Sequence, residues 1–423
     1  MIQEGKFRQV LYRCEQTHLA IGEIEMLQFD SASTRMVNPV AAVDECIALA
    51  ESYRPGLGRP SVVIVKASVG HNLLELSKRL RERFPGVRVV GNSCAGIVGR
   101  EGVSETLRDV AMMFISGEDV AVAKVEDIYG SNAYEKGRDL AVRLGEQISG
   151  INMIYLLAPG INIANDRVLA GFESIFGREV TVFGGTSSDN MRGICTNQVV
   201  DDEVYEHTAY AVGFADPGLI VDTQATHGFV AIGDPMVVTR AAGNIVMELD
   251  GKPAWPVYCS RMSFPPTSPL SDTIPVGALA ERLSPELAEE YGNPHLLRVV
   301  TNVLRDGSLV YPTDCQVGTK LWLTIRDEDL IFRDMERMVG QMRDRVDGRK
   351  PVAVFQADCL ARGRRLFNRI IKEELVHKMQ HEFYTNDVPP PWLGMYGFGE
   401  FARLGGINSY HNYTTSLAAI YRL

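Results

Sequence analysis

Between residues 61 and 91 the hydrophobic period of the chain switches twice, and that switch limits the fold more than any other feature. Ser61-Val-Val-Ile-Val-Lys-Ala67 is a short β-branched run suited to a buried strand. Residues 72–84 carry apolar side chains at helical spacing, and residues 87–91 form a second apolar run that enters a glycine-containing turn. A strand, an amphipathic helix and a strand in succession predict a strand-helix-strand unit. The rhythm returns downstream, with strands expected at 110–116 and 120–125, a helix at 132–148, a strand at 153–157, a helix at 164–176 and a strand at 180–184. From 198 to 240 the pattern changes to short alternating runs such as Ala209-Tyr-Ala-Val-Gly-Phe214, which predict antiparallel strands without helices between them. The N-terminal part is therefore expected to be α/β with a sheet-rich second half.

Ahead of this region, residues up to Met36 read as a polar lead-in, and Asn38-Pro39 marks a helix start. At the other end, Val246-Met-Glu-Leu-Asp250-Gly251 reads as a helical turn closed on a DG turn. A stretch rich in Pro, Ser and Thr follows to about Ser284, which puts a domain boundary near Leu249. Beyond it, an amphipathic segment at 285–291, strands at 296–304, 308–311 and 319–325, a helix at 327–345, a strand at 352–356 and a long helix at 363–383 predict an α+β second part. No internal repeat of fixed period is visible.

A formal net charge of -10 gives no basic field for nucleic acid or an anionic membrane surface. Cys14, Cys46, Cys94, Cys195, Cys259, Cys315 and Cys359 are scattered singly with no CxxC pair, against both a disulfide framework and a zinc knuckle. No secretory leader opens the sequence, and no run approaches the roughly 18 apolar residues of a membrane span. These features predict a cytoplasmic chain that engages neither membrane nor nucleic acid. No kinase, cyclase or DNA-binding module is evident beside the core, so any output would pass through a separate partner.

Several segments carry chemistry-bearing side chains. Gly91-Asn-Ser93-Cys94-Ala95-Gly96 follows a predicted strand and approaches the G-x-S-x-G nucleophile elbow, with Ala95 in place of the last glycine. Ser93 or Cys94 would then serve a hydrolase, given a histidine and a carboxylate within reach; a tight structural turn is the competing reading. Gly184-Gly185-Thr-Ser187-Ser-Asp189-Asn190 can bring backbone N–H groups to a polar ligand but lacks the Lys-Ser/Thr of a phosphate loop, and a plain turn fits equally. His377 and His381 share a helix face with Glu374 among charged neighbours, which reads as a solvated surface. His71 lies just past the carboxyl end of the 61–67 strand, where open α/β sheets place ligands.

The closing segment, Gly394-Met-Tyr-Gly397-Phe-Gly399-Glu400 with Asn408-Ser-Tyr-His411-Asn412-Tyr-Thr414, resembles the end of the FIST-domain family of signal-input proteins. Supporting pieces occur in order: Gly91 to Gly96, Gly184-Gly185 with Asp189, Val238-Thr239, Glu248-Leu-Asp250-Gly251-Lys-Pro253-Ala254, and Cys359-Leu-Ala-Arg362-Gly363. The likeness implies an N-terminal extension over 1–30, a FIST N-terminal domain over 31–248 and a FIST C-terminal domain over 249–423. Lys66-Ala-Ser-Val-Gly-His71 departs from it, lacking the Pro and Asp common in that family loop. The resemblance further implies a bacterial-type, non-enzymatic sensor of a small ligand, amino acids being a proposed class, which signals to a separate histidine kinase or cyclic-di-GMP enzyme. A haem-binding, nitric-oxide-sensing branch exists, for which His71, His207 and His411 are candidate axial ligands. Cys94, Gly184, Gly185, Ser187, Asp189, Arg362, Glu400, His411 and Asn412 are the expected ligand-site residues, with a carboxylate to bind an ammonium and Arg362 to pair with a carboxylate ligand or with Glu400.

Overall fold

The computed structural model describes residues 26–56, 58–363 and 369–423. The expected strand-helix-strand is present inside a longer unit: β1 (Gln28–Thr34), α1 (Pro39–Tyr53), β2 (Val62–Ser68), α2 (Leu73–Arg83), β3 (Arg88–Cys94), a hairpin of β4 (Ile97–Gly99) and β5 (Gly102–Ser104), and β6 (Val110–Ser116). β2 and β3 are parallel, and β6 pairs antiparallel with both β1 and β2. Asn38 and Asn72 cap α1 and α2 by accepting backbone N–H bonds through their side chains, each such cap contributing about 1 kcal/mol.

A second unit repeats this order: β7 (Val120–Val125), α3 (Ala133–Gly145), β8 (Met153–Ala158), α4 (Asn165–Phe176), β9 (Thr181–Thr186), a β10 (Gln198–Val200) and β11 (Glu203–Tyr205) hairpin, and β12 (Ala209–Phe214). A third begins at β13 (Leu219–Thr226) and is interrupted by an insert. The insert comprises β14 (Phe229–Ala242), β15 (Ile245–Leu249), β16 (Lys252–Pro253), α5 (Ala254–Arg261), α6 (Leu270–Thr273), β17 (Ala278–Arg282), α7 (Pro285–Tyr291), β18 (His295–Arg298), β19 (Asn302–Val303), β20 (Leu309–Val310) and β21 (Lys320–Arg326). The unit then resumes with α8 (Glu328–Arg345), β22 (Ala353–Cys359), α9 (Arg369–His381), β23 (Trp392–Gly397), a β24 (Glu400–Leu404) and β25 (Ile407–His411) hairpin, and β26 (Thr415–Arg422).

The sheets run β1-β6-β2-β3-β10-β11, β7-β12-β8-β9-β24-β25 and β13-β26-β22-β23-β4-β5. Each unit thus lends its hairpin to another unit's sheet in a cyclic exchange, and the parts on either side of residue 249 share two of the three sheets. Inward-facing Ile64, Val90, Tyr155, Phe183, Phe355 and Met395 from all three sheets fill one central core. The outward faces pack separately against α1 and α2, against α3 and α4, and against α8 and α9. Each fully buried aliphatic or aromatic side chain in these layers contributes about 1.5–3 kcal/mol.

The equivalence extends to single positions. Gly91, Gly184 and Gly394 stand opposite Val65, Leu156 and Gln356, the fourth residues of β2, β8 and β22. A Cβ would meet the Val65 carbonyl at 2.7 Å, the Leu156 carbonyl at 2.2 Å and the Val98 carbonyl at 3.0 Å, respectively. Side chains cannot be accommodated where neighbouring strands approach so closely.

Three expectations need correction. Residues 28–34 are a strand, not a polar lead-in. The polar side chains are buried against partners, with Asp30 in an ion pair with Arg54, Ser33 bonded to Glu101, and Ser31 Oγ accepting from Trp392 N at 2.7 Å. Residues 245–249 form a strand of the insert, where Val246 and Leu249 are buried in its own core, so pairing with β14 overrides the local helical preference. A repeat does exist, but it is one of topology. Residues 1–25, most of the expected extension, and residues 364–368, near the start of the helix expected from 363, lie outside the described residues.

Candidate functional site

Loops beyond the carboxyl ends of parallel strands can diverge without disturbing a sheet, and there the third unit departs from the other two. Asp358 lies near the end of β22, and the register makes Ala67 and Ala158 its counterparts. Four residues on, Arg362 sits on a short 3-10 turn (Leu360–Arg362), where the same count gives His71 and Asn162. Glu400 opens β24 opposite Gly185, a position matched by Gln198 opposite Asn92 and Ile97 opposite Met395. Gln198 Oε1 accepts from Thr208 N at 3.2 Å, and Glu400 Oε2 accepts from the equivalent Thr414 N at 3.3 Å. A neutral amide therefore meets the structural requirement, and the third unit carries an acid in its place.

Asp358, Arg362 and Glu400 are all buried. Arg362 Nε faces Asp358 Oδ1 at 3.4 Å, and its Nη1 donates to the Thr226 carbonyl at 3.0 Å. Asp358 Oδ2 accepts from Thr415 Oγ1 at 2.5 Å, and Glu400 Oε2 from Thr414 Oγ1 at 2.7 Å. Among the described residues, Glu400 Oε1 and Arg362 Nη2 have no hydrogen-bond partner. Burial raises the Glu400 carboxyl well above its ordinary range; nearby Asp358 adds to the rise, while Thr414 and Arg362 oppose it. Asp358 is also raised by burial, against the pull of Arg362. Among the described residues, two buried carboxylates thus face one guanidinium, an arrangement that leaves negative charge to be neutralised by protonation or by a cationic group.

The insert supplies a wall. Tyr291 of α7 stacks on His411 with ring centres 5.6 Å apart, its hydroxyl 3.3 Å from Nδ1. His227 lies 5.5 Å from the same tyrosine ring. Phe229 N–H donates to His227 Nδ1 at 2.9 Å, which assigns the proton to Nε2, donated to the His295 carbonyl at 2.9 Å. Burial lowers both His227 and His411 to about 3, so both imidazoles are neutral at physiological pH. Asn412 bridges the insert and the three-sheet core, accepting from Val299 N at 3.4 Å and donating to the Phe398 carbonyl at 3.5 Å.

The structure brings Arg362, Glu400, His411 and Asn412 together and disperses the rest of the expected set. Gly184 and Gly185 are close-packing positions within β9. Ser187 Oγ accepts from Gln198 Nε2 at 2.7 Å, and Asp189 accepts from the backbone N–H groups of Arg192, Gly193 and Ile194, pinning its own loop. The Gly91 to Gly96 turn is equally committed. Ser93 Oγ donates to the Ser188 carbonyl at 2.9 Å and accepts from Asn197 N at 3.0 Å, and burial pushes the Cys94 thiol up to about 12, opposite to an activated nucleophile. His71 bonds to the Arg108 carbonyl, His207 packs 4.7 Å from the Tyr129 ring, and His411 is enclosed by Tyr291. The three histidines belong to different units and do not converge on one site. His377 and His381 stand on the exposed face of α9 beside Glu336 and Glu382. Sequence reasoning misses Asp358, whose only signal is an acid near the end of a strand that otherwise carries a single polar residue, Gln356.

A FIST N domain matches residues 61–252 and a FIST C domain matches residues 254–403. The chain belongs to the FIST family. FIST domains are regarded as sensor domains. Similar proteins include an uncharacterised one from Mycobacterium bovis, 27% identical over 248 residues, covering 56% of this chain and 59% of the relative. Another, from Mycobacterium tuberculosis, is 26% identical over 252 residues, covering 56% and 60%. The match thus spans about three-fifths of the length of these relatives. Among solved structures, PurLQS from Thermotoga maritima gives a TM-score of 0.21 at 10% identity, covering 98% of this chain and 76% of the other, too low to indicate a common fold. No helix among the described residues is long and apolar enough to cross a membrane.

Proposed function

We propose that this FIST protein senses a small zwitterionic ligand, of the amino acid class, at the Asp358–Arg362–Glu400 cluster and reports occupancy to a separate signalling chain. The observation that carries the reading is the buried carboxylate of Glu400, with Oε1 unpartnered, at a position where the second unit makes the equivalent structural bond with the neutral Gln198. Arg362 Nη2 offers a donor for the ligand carboxylate, while Glu400 and Asp358 offer acceptors for its ammonium. Such a ligand would set its ammonium against the two carboxylates and its carboxylate against Arg362, and would connect the three-sheet core to the insert that carries Tyr291 and His227.

The test is a thermal-shift and calorimetric screen of the standard free amino acids against the full chain and Glu400→Gln. At least one amino acid is expected to raise the wild-type midpoint in a concentration-dependent way and to leave the variant unmoved. Equal shifts in both proteins, or none in the wild type, would remove the cluster as the binding site.

A further inference from the structure

The centre of the three-sheet core holds a second departure from equivalence. In the inward layer formed by the last turns of the parallel strands, β8 and β22 place Leu157 and Ala357, whereas β2 places Lys66. Opposite it is Asn92, where the other units have Gly185 and Met395. On the antiparallel side the second unit supplies Tyr210 at the position of Ala111 and Ser416. Lys66, Asn92 and Tyr210 are each at most 1% exposed, although they come from two units and three strands.

Lys66 Nζ donates to Asn92 Oδ1. Tyr210 Oη lies 3.4 Å from Lys66 Nζ and 3.4 Å from Asn92 Oδ1, touching both. The amine sits 4.9 Å from the Tyr155 ring centre. Among the described residues, no carboxylate lies within ion-pair distance of it, so a charged lysine here would be buried without a counter-ion. Asn92 Nδ2 donates to the Ser93 carbonyl at 2.8 Å and contacts Met395 Sδ at 3.4 Å. An enclosed cavity of about 10 Å³, lined in part by Tyr155 and Met395, adjoins the cluster and has room for one water-sized molecule.

We propose that Lys66 and Asn92 join as an intramolecular isopeptide bond between β2 and β3. The Nζ lone pair attacks Asn92 Cγ, and the oxyanion that develops at Oδ1 accepts the hydrogen bond of Tyr210. The Cγ–Nδ2 bond then breaks, one Nζ proton passes to Nδ2, and ammonia leaves, with no oxidant or further reactant. Burial supports both roles: it lowers the lysine to about 7, so that the neutral amine is well populated, and keeps the Tyr210 phenol protonated as a donor. The product is a neutral secondary amide, which cannot be protonated in the core as the free amine can, and it ties two parallel strands covalently.

The test is the intact mass of the full chain. The folded protein is expected about 17 Da below its sequence mass, the mass of one ammonia, with residues 66 and 92 recovered in a single cross-linked peptide after digestion. Tyr210→Phe preserves the ring packing and should fold with the wild-type circular dichroism spectrum while maturing more slowly, so that the full-mass form accumulates. Full sequence mass in the wild type after incubation of the folded protein at about pH 9, where the amine is neutral, would overturn the proposal. So would a loss of ammonia mapped to other residues. Maturation of Tyr210→Phe at the wild-type rate would overturn the role given to the phenol.

Discussion

Replacing Glu400 by Gln should make the ligand-free protein more stable while abolishing its response to ligand. Glu400 is wholly buried, and its folded-state pKa stands well above the ordinary 4.5, chiefly through desolvation. The unfolded chain therefore releases this proton at lower pH than the folded chain does. Between 4.5 and the raised value, stability falls as pH rises, by about 1.4 kcal/mol per pH unit. The amide carries no such penalty and can keep the Thr414 N–H bond, as Gln198 does with Thr208. Relief of one poorly compensated buried carboxylate is worth about 1–3 kcal/mol. For a chain of 423 residues, whose unfolding entropy is about 2.1 cal/mol/K per residue, this corresponds to a rise in midpoint of about 1–3 °C at pH 7.5. The gain should shrink as pH falls towards 4.5, where the wild-type carboxyl is protonated in the folded state and becoming so in the unfolded one. Calorimetry from pH 4.5 to 8 reads the difference directly. A variant less stable than wild type at pH 7.5, or a difference that does not vary with pH, would refute the view of Glu400 as excess charge.

Further outcomes follow from the same geometry. Arg362→Met leaves Asp358 and Glu400 without their cation and should cost about 3–5 kcal/mol in chemical denaturation, most of it recovered when Asp358→Asn is added. His227 and His411 are held neutral to about 3, so the unfolded chain takes up protons first. Their contribution to stability should fade as pH drops from about 6.5 towards 3, and variants with Gln at both positions should show a flatter acid limb in thermal melts. Gly184→Ala, with its Cβ 2.2 Å from the Leu156 carbonyl and φ at +122°, should yield little folded protein, whereas Gly193→Ala, in open space, should cost only about 1 kcal/mol. Cys94, fully buried with its thiol raised to about 12, should resist alkylation in the native chain and react only on unfolding, as judged by peptide mapping.

What the sequence discloses follows what its local periods can encode. The β2-α2-β3 crossover is legible because a β-branched run, an Asn cap and an amphipathic helix follow one another within 35 residues. Glu400, His411 and Asn412 are legible because the closing segment carries them in a compound motif, and Arg362 because it stands in the supporting Cys359-Leu-Ala-Arg362-Gly363 piece. β1 is not, since Gln28-Phe-Asp-Ser-Ala-Ser-Thr34 gains its strand character from pairing with β6 and its polar side chains find Glu101, Arg54 and Trp392, all distant in sequence. The threefold order is hidden for two reasons. The insert separates β13 from α8, and the hairpin exchange places each unit's closing pieces in another unit's sheet. Asp358 and Lys66 become conspicuous only once the register shows alanine or leucine at the equivalent positions.

Near-equivalent units provide an internal control that a single sheet lacks. Where all three agree, as in the glycines at 91, 184 and 394, the shared requirement is packing between adjacent strands. Where one alone carries charge, packing cannot be the reason, because the others build the same local structure without it. The insert belongs to that same third unit, and through Tyr291, His227 and Val299 it reaches His411, the Thr226–His227 turn held by Arg362, and Asn412. A ligand that altered the balance among Asp358, Arg362 and Glu400 would therefore act first on the seam between the insert and the three sheets. Three hydrogen bonds of 3.3–3.4 Å cross that seam, Tyr291 to His411, Val299 to Asn412 and Tyr413 to Ile274, beside the apolar packing of Ala278, Leu297 and Tyr291, and no strand ladder crosses it among the described residues. Under the proposed sensing role, occupancy would be relayed by a shift of the insert relative to the three-sheet core.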